Sequence, residues 1–253
     1  MRLVKTFPDP GPLDDWKVAV SADGKTAIRI SAYGELSLLD PETWEETRKL
    51  QAPGKKHFFS KVLLSPDGKM ALVCHSEGQG LNYLAVWDLE RGEERYRFEG
   101  HFSFIEGVAL TPDGLVVSVD REGQGIVWDL ATGQERHRFF SREFRRSFRD
   151  VVLTSGGKLA VTLDEDWGIS IWEVGTGKFL RSFPPQSSGR VLKMALTPDG
   201  KNIVTAQDGC LIVRDFETGT VAHRYEGVYT ASRNTLFSIT PDGQHVFIEG
   251  EVL

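Results

Sequence analysis

An all-β fold, made by repeating one small antiparallel sheet six times, is what this 253-residue sequence predicts, and three observations carry that prediction. A turn string of the form [ST]-x-[DG]-G begins at Ser21, Ser65, Thr111, Thr154, Thr197 and Thr240, in steps of 44, 46, 43, 43 and 43 residues. A short apolar run precedes every copy: KVAVS, KVLLS, GVALT, DVVLT, KMALT and LFSIT. A second family of runs, LSLLD, LAVWD, GIVWD, ISIWE and LIVRD, ends each period at Asp40, Asp88, Asp129, Glu173 and Asp215. No helical periodicity interrupts these segments.

Each period reads as four strands. The first strand carries the aligned columns Val18, Val62, Val108, Val151, Met194, Phe237 and Val20, Leu64, Leu110, Leu153, Leu196, Ile239. Pro-Asp-Gly then makes a tight turn, because proline presets φ and glycine accepts positive φ. A β-branched second strand such as KLAVTL follows and ends at a turn bearing Asp120, Asp164 or Asp208. The third strand leads through a turn of the form LATGQ or EVGTGK into a fourth, as in ERHRFF or FLRSFP. Strands that are apolar on both faces need cover on both sides, which sheets stacked around an axis supply. The predicted architecture is a six-bladed β-propeller of four-stranded antiparallel blades, one domain over residues 1–253, with blades starting near 17, 61, 107, 150, 193 and 236.

Composition narrows the function. Hydrophobic residues make up 40% and charged residues 26%, which excludes a disordered or collagen-like chain. Thirty Lys plus Arg against 36 Asp plus Glu leave a formal charge of −6, which disfavours nucleic acid as a partner. No run approaches the ~20 apolar residues of a membrane span, and the opening segment lacks the apolar core of a secretory signal. Cys74 and Cys210 lie in separate apolar runs, so no disulfide framework is expected and a cytoplasmic location is.

Trp87-Asp88 and Trp128-Asp129 at the end of third strands, the Thr-Gly turn after them, and Gly100-His101 ahead of a first strand make the chain resemble the WD40-repeat family over nearly its whole length. The resemblance implies a hydrogen-bonded structural set of His101, Ser118, Asp120 and Trp128 in the third blade. The repeats are degenerate: Gly-His occurs once, and the tryptophan column reads Leu39 in the first copy and Arg214 in the fifth.

The sixth copy stops soon after its second strand, at Glu251, Val252 and Leu253, while RLVKTFP near the start matches a fourth strand. Phe7 precedes Ser21 by the same 14 residues that separate Phe183 from Thr197. Residues 2–7 are therefore expected to close the last, incomplete blade, pairing directly with its second strand. A monomer is expected, with strand exchange between chains at that blade, or origin in a longer protein, as the other readings.

No catalytic signature is present: neither H-E-x-x-H, G-x-S-x-G nor a Walker loop occurs. Gly78-Gln79-Gly80 and Gly123-Gln124-Gly125 sit in turns with no helix N-terminus to hold a phosphate. Adjacent Cys74 and His75 point to opposite faces of a strand, so no metal site is expected and no cofactor. Asp164, Glu165 and Asp166 are the densest carboxylates, and the shared column with Asp120 assigns Asp164 to its turn.

The segment Arg136 to Arg149 is the strongest binding candidate, since Arg142, Arg145, Arg146 and Arg149 surround Phe144 and Phe148 against the single acid Glu143. Arginine binds carboxylates with both arms and stacks on aromatic rings, the composition of interface hot spots. Loops entering first strands share one rim with the turns between second and third strands, which adds Lys55, Lys56, Phe58, Arg190 and Tyr229 as support. The expected function is a non-enzymatic interaction scaffold or sensor binding a partner protein or acidic peptide on that rim. A propeller hydrolase or lyase with a central-channel site is the alternative, and a sensor domain of a multidomain protein is another.

Overall fold

The computed structural model describes residues 17–21, 23–31, 35–50, 58–77, 81–141, 146–166, 168–184, 191–207, 210–227, 237–240, 242–248 and 251–252. The chain divides into two compact units, Met1–Ile105 and Glu106–Leu253. All regular structure among the described residues is β-strand, and no helix is long and apolar enough to cross a membrane.

The first unit holds two sheets. One contains β1 (Lys17–Val20), β2 (Ala27–Ile30), β3 (Leu36–Leu39) and β4 (Glu46–Leu50). The other contains β5 (Phe58–Leu64), β6 (Met70–Glu77), β7 (Leu81–Asp88) and β8 (Glu93–His101). In the second unit the third sheet runs through β9 (Ile105–Leu110), β10 (Leu115–Asp120), β11 (Gln124–Asp129) and β12 (Glu135–Phe140). The fourth runs through β13 (Phe148–Leu153), β14 (Leu159–Asp164), β15 (Ile169–Glu173) and β16 (Lys178–Phe183). The fifth comprises β17 (Val191–Leu196), β18 (Asn202–Gln207), β19 (Cys210–Asp215) and β20 (Val221–Glu226). Strand order follows the chain in every sheet, so each 43-residue period is one antiparallel meander, the blade from which propellers are built.

The sixth sheet has three strands, β21 (Phe237–Ile239), β22 (Val246–Ile248) and β23 (Glu251–Val252). This corrects the expectation that an opening strand pairs directly with the second strand of the last blade. Phe247 and Ile248 are already matched to Val252 and Glu251, so the chain's own final residues take that edge. Residues 2–7, expected to complete the blade, lie outside the described residues.

Apolar residues on alternate faces cover both sides of the fourth and fifth sheets. In the fourth sheet, Phe148, Val151, Ala160 and Trp172 pack with Val117, Val119, Val127 and Phe139 of the third. Val161, Leu163, Ile169 and Ile171 instead pack with Val191, Met194 and Ile203 of the fifth. The same alternation joins Ile28, Ile30 and Leu36 of the first sheet to Ala71, Val73, Tyr83, Ala85 and Trp87 of the second.

The repeated turn string has a single mechanism. Ser21 Oγ donates to Asp23 Oδ1 at 2.6 Å and accepts Thr26 N–H at 3.0 Å. Ser65–Asp67 and Thr197–Asp199 repeat the bond at 2.6 Å, and Thr111–Asp113 and Thr240–Asp242 repeat it as well. The glycine that follows is needed twice over. Gly157 has φ +68°, and a Cβ there would lie 2.8 Å from the Thr111 side chain in the turn of the preceding sheet.

A second regularity escapes the sequence. In all five four-stranded sheets the register between third and fourth strands slips at the tryptophan column: Leu38/Leu39, Val86/Trp87, Val127/Trp128, Ile171/Trp172 and Val213/Arg214. The extra residue falls on the fourth strand each time, a bulge that increases local twist.

Candidate functional site

The site begins with how two separate segments of the fourth sheet reach one place. Phe148 pairs with Asp164 in register, so the loop entering β13 and the turn leaving β14 emerge at the same end of that sheet. The loop is fastened at both feet. Ser141 N–H donates to Gly123 O at 2.8 Å, and Glu165 N–H donates to Ser147 O at 2.9 Å. Gly123, at φ +74°, lies so close to the Arg146 carbonyl and the Ser141 hydroxyl that a Cβ would overlap both.

Arg146 sits between two carboxylates of the turn. Its Nη1 is 3.6 Å from Asp164 Oδ2 and its Nη2 is 3.1 Å from Asp166 Oδ2. Arg149 Nη2 approaches Glu165 Oε2 at 4.0 Å. The basic loop and the acidic turn, read separately in the sequence, form one ion-pair network. Exposed pairs of this kind contribute only ~0–1 kcal/mol each, so the network orients the loop more than it stabilises the sheet.

The two aspartates differ in kind. Asp164 Oδ1 accepts Asp166 N–H at 3.0 Å and Gly168 N–H at 2.7 Å, and only 14% of its side chain is exposed. Burial pushes its carboxyl above the usual range, against the Gly168 N–H and Arg146, which pull it down. A Cβ on residue 168 would lie 2.6 Å from Asp164 Oδ2, so glycine is required for the carboxylate to tuck under the turn. Asp166 is 60% exposed and holds Arg146 from the solvent side.

Arg146 also lines a half-open cleft of about 530 Å³ with Ser141, Phe148, Asp164, Ile169, Ser170, Ser182, Phe183 and Pro184. Ser170 and Ser182 are cross-strand partners, which puts their hydroxyls side by side. Arg214 supports the rear of the cleft: its Nη1 donates to Pro184 O at 3.3 Å. It fills the tryptophan column of the fifth sheet, only 1% exposed, and burial pulls its pKa down.

Of the residues expected at the contact surface, Arg142, Phe144, Arg145, Lys55, Lys56, Arg190 and Tyr229 lie outside the described residues. Phe58 opens β5, paired with Ser76. Arg146 lies just before β13, at the end of the fourth sheet where β14 leaves it. Phe148 is a correction: its ring is 2% exposed, 6.1 Å from Phe139 and 6.3 Å from Trp172 in edge-on contacts. As the first residue of β13 it follows the inward face of that strand, so it is core and only edges the cleft.

The structural set is found in part. Trp128 Nε1 donates to Ser118 Oγ at 2.8 Å, and Asp120 Oδ1 accepts the N–H groups of Glu122 and Gln124 at 3.0 Å each. His101 belongs to the first unit, where it is buried at the end of β8 and pairs in register with Asn82. The fourth sheet repeats the device, with Trp172 Nε1 donating to Thr162 Oγ1 at 2.9 Å. In the second sheet Val73 replaces the hydroxyl, and the buried Trp87 indole N–H meets no acceptor among the described residues.

The ion pairs of Arg146 were missed by sequence reasoning. The signal was present: a four-arginine loop and a three-carboxylate turn of one blade belong to the same rim. Among the described residues, no three His, Cys, Asp or Glu side chains gather as a metal-binding group.

Comparison with known proteins agrees with this construction. Residues 177–215 match the family model described as WD domain, G-beta repeat. That stretch runs from the turn before β16 through β19, one complete four-strand period begun at a fourth strand. The chain is also 26% identical over 117 residues to a WD repeat-containing protein, SL1-17, of Schistosoma mansoni. The aligned part is 46% of this chain and 36% of that relative, so the chain matches about a third of the relative's length. WD40 repeats in general mediate protein–protein interaction and serve as non-enzymatic scaffolds. Its period, its turn chemistry, its Trp–Ser/Thr hydrogen bonds and these matches support the WD40-repeat family for this chain.

Proposed function

We propose that this chain is a non-enzymatic interaction module that receives a partner protein or acidic peptide on the rim of its fourth blade. The observation that carries this reading is Arg146, held at the mouth of a serine-lined cleft with its guanidinium fixed by Asp164 and Asp166. A guanidinium fixed in this way is pre-organised, so less side-chain entropy is lost when a carboxylate docks. A loop clamped at both feet on a rigid sheet is the usual setting for recognition residues. Cys74 and Cys210 are buried thiols outside any disulfide, which suits the reducing cytoplasm where we place the module's work.

The test is a pull-down with wild-type protein and Arg146→Glu, each first shown to melt at the same temperature. Loss of captured partners from the variant supports the assignment. Identical capture by the two proteins removes the fourth-blade rim from the interaction.

A further inference from the structure

We propose that Asp166 is a built-in stand-in for the partner's carboxylate: it occupies the outer nitrogen of Arg146 until an aspartate or glutamate side chain, entering the cleft, replaces it. This rests on the proposed function and adds how the site is guarded and which side chain it reads.

The two contacts of Arg146 are unequal. The inner carboxylate, Asp164, is immobilised by two backbone N–H groups at 2.7 and 3.0 Å and by the close approach of Gly168. It cannot swing away without dismantling the turn, so Nη1 stays anchored. The outer carboxylate, Asp166, is 60% exposed, and its ion pair of 3.1 Å faces water. Such a pair is worth only ~0–1 kcal/mol, so a competing carboxylate can displace it at little cost.

The cleft supplies the competitor's other contacts. Its wall carries the hydroxyls of Ser141, Ser170 and Ser182 beside the Arg146 guanidinium, over the apolar floor of Ile169 and Phe183. These polar groups are predominantly donors to an anion, and a carboxylate accepts several such bonds at once. A cationic side chain finds less: Asp164, the one carboxylate among the described residues lining the cleft, already accepts two N–H groups and lies beside Arg146. The ligand class is therefore an acidic peptide segment, with one carboxylate seated against Arg146.

An anion binds only where its contacts exceed those Asp166 already makes.

The experiment uses the full chain and a fluorescein-labelled deca-glutamate peptide, with deca-glutamine as control, read by fluorescence anisotropy at fixed low salt. Asp166→Asn is expected to tighten deca-glutamate binding by about two- to five-fold, which is ~0.4–1 kcal/mol and within the range of an exposed pair. Glu45→Gln removes the same charge from an exposed site in the first unit and corrects for the general effect of net charge. Arg146→Gln is expected to abolish the gain in the Asp166→Asn background. Deca-glutamate that binds wild type and Asp166→Asn equally, or no more tightly to Asp166→Asn than to Glu45→Gln, overturns the competition while leaving the docking site standing. Failure of wild type and Asp166→Asn alike to bind deca-glutamate overturns the competition and the acidic-peptide reading together.

Discussion

Exchanging one hydroxyl between two blades tests what holds the sheets that carry the rim. Thr162 Oγ1 accepts the Trp172 indole N–H at 2.9 Å, inside an aromatic cluster with Phe139 and Phe179 ring centroids 4.6 and 5.3 Å away. Thr162→Val keeps the shape and removes the acceptor, so the indole N–H stays buried with no partner. That costs about 1–3 kcal/mol, the desolvation penalty of an unmet donor, whereas a hydrogen bond lost to water costs less. In a Trp172→Phe background the same change should cost well under 1 kcal/mol, because no donor remains to strand. The reciprocal change is Val73→Thr in the second sheet, where the Trp87 indole N–H is the unmet donor. It should gain about 0.5–1.5 kcal/mol, and the gain should vanish in Trp87→Phe. Urea unfolding of the four single and two double variants measures all of these. Equal costs for Thr162→Val with and without Trp172, or a loss from Val73→Thr, would refute the claim that this bond is a repeated stabilising unit.

Three further outcomes follow from the packing and the turns. Gly125→Ala should destabilise the second unit by about 1–3 kcal/mol, because the buried Phe139 ring lies against the Gly125 backbone where a Cβ would overlap it; unchanged urea midpoints contradict this. Phe148→Ala should cost about 3–5 kcal/mol as a core truncation, and an effect under 1 kcal/mol would return Phe148 to the surface. Asp23, Asp40, Asp67, Asp199, Asp215 and Asp242 all have folded pKa values below 3.8, held down first by Ser, Thr or backbone N–H donors, and Asp129, held mainly by Arg136, lies at about 2. Their stabilisation is fully present above the unfolded value of 3.8 and is lost as pH falls through the folded values, which for Asp129 is about 2. Asp164 acts in the opposite direction, because its folded value is raised: protonation relieves its burial as pH falls through that value. Stability should therefore fall as pH drops below 3.8, and Asp164→Asn should remove its opposing contribution; a stability curve level below 3.8 contradicts the turn mechanism.

Blade count and strand order could be read in the sequence because each period repeats turn residues whose chemistry is local. Ser21 bonds Asp23 and Asp40 caps its own turn within three residues, so six copies of the pattern mark six sheets. Trp128–Ser118 was legible through the resemblance to the WD40-repeat family, and the need of a buried indole N–H for an acceptor agrees with it. The bulge at the tryptophan column was not, because it depends on the pairing of two strands whose extra residue is Thr47, Arg95, Arg136, Leu180 or Ala222, with no common type. The site was half legible. Arg146 stood out by charge, but Phe148 shares that basic segment and only its strand register sends it inward. The meeting of Arg146 with Asp164 and Asp166 spans about twenty residues, and no local pattern encodes it.

The central claim, that an acidic segment docks in the cleft beside Arg146, is tested most directly by amide hydrogen exchange of the full chain with and without saturating deca-glutamate. Protection is predicted at 146–148, 164–168 and 182–183, with the far-end turns at 155–158 and 174–177 unchanged. Protection centred on those far-end turns, or spread evenly over the fourth sheet, would contradict it.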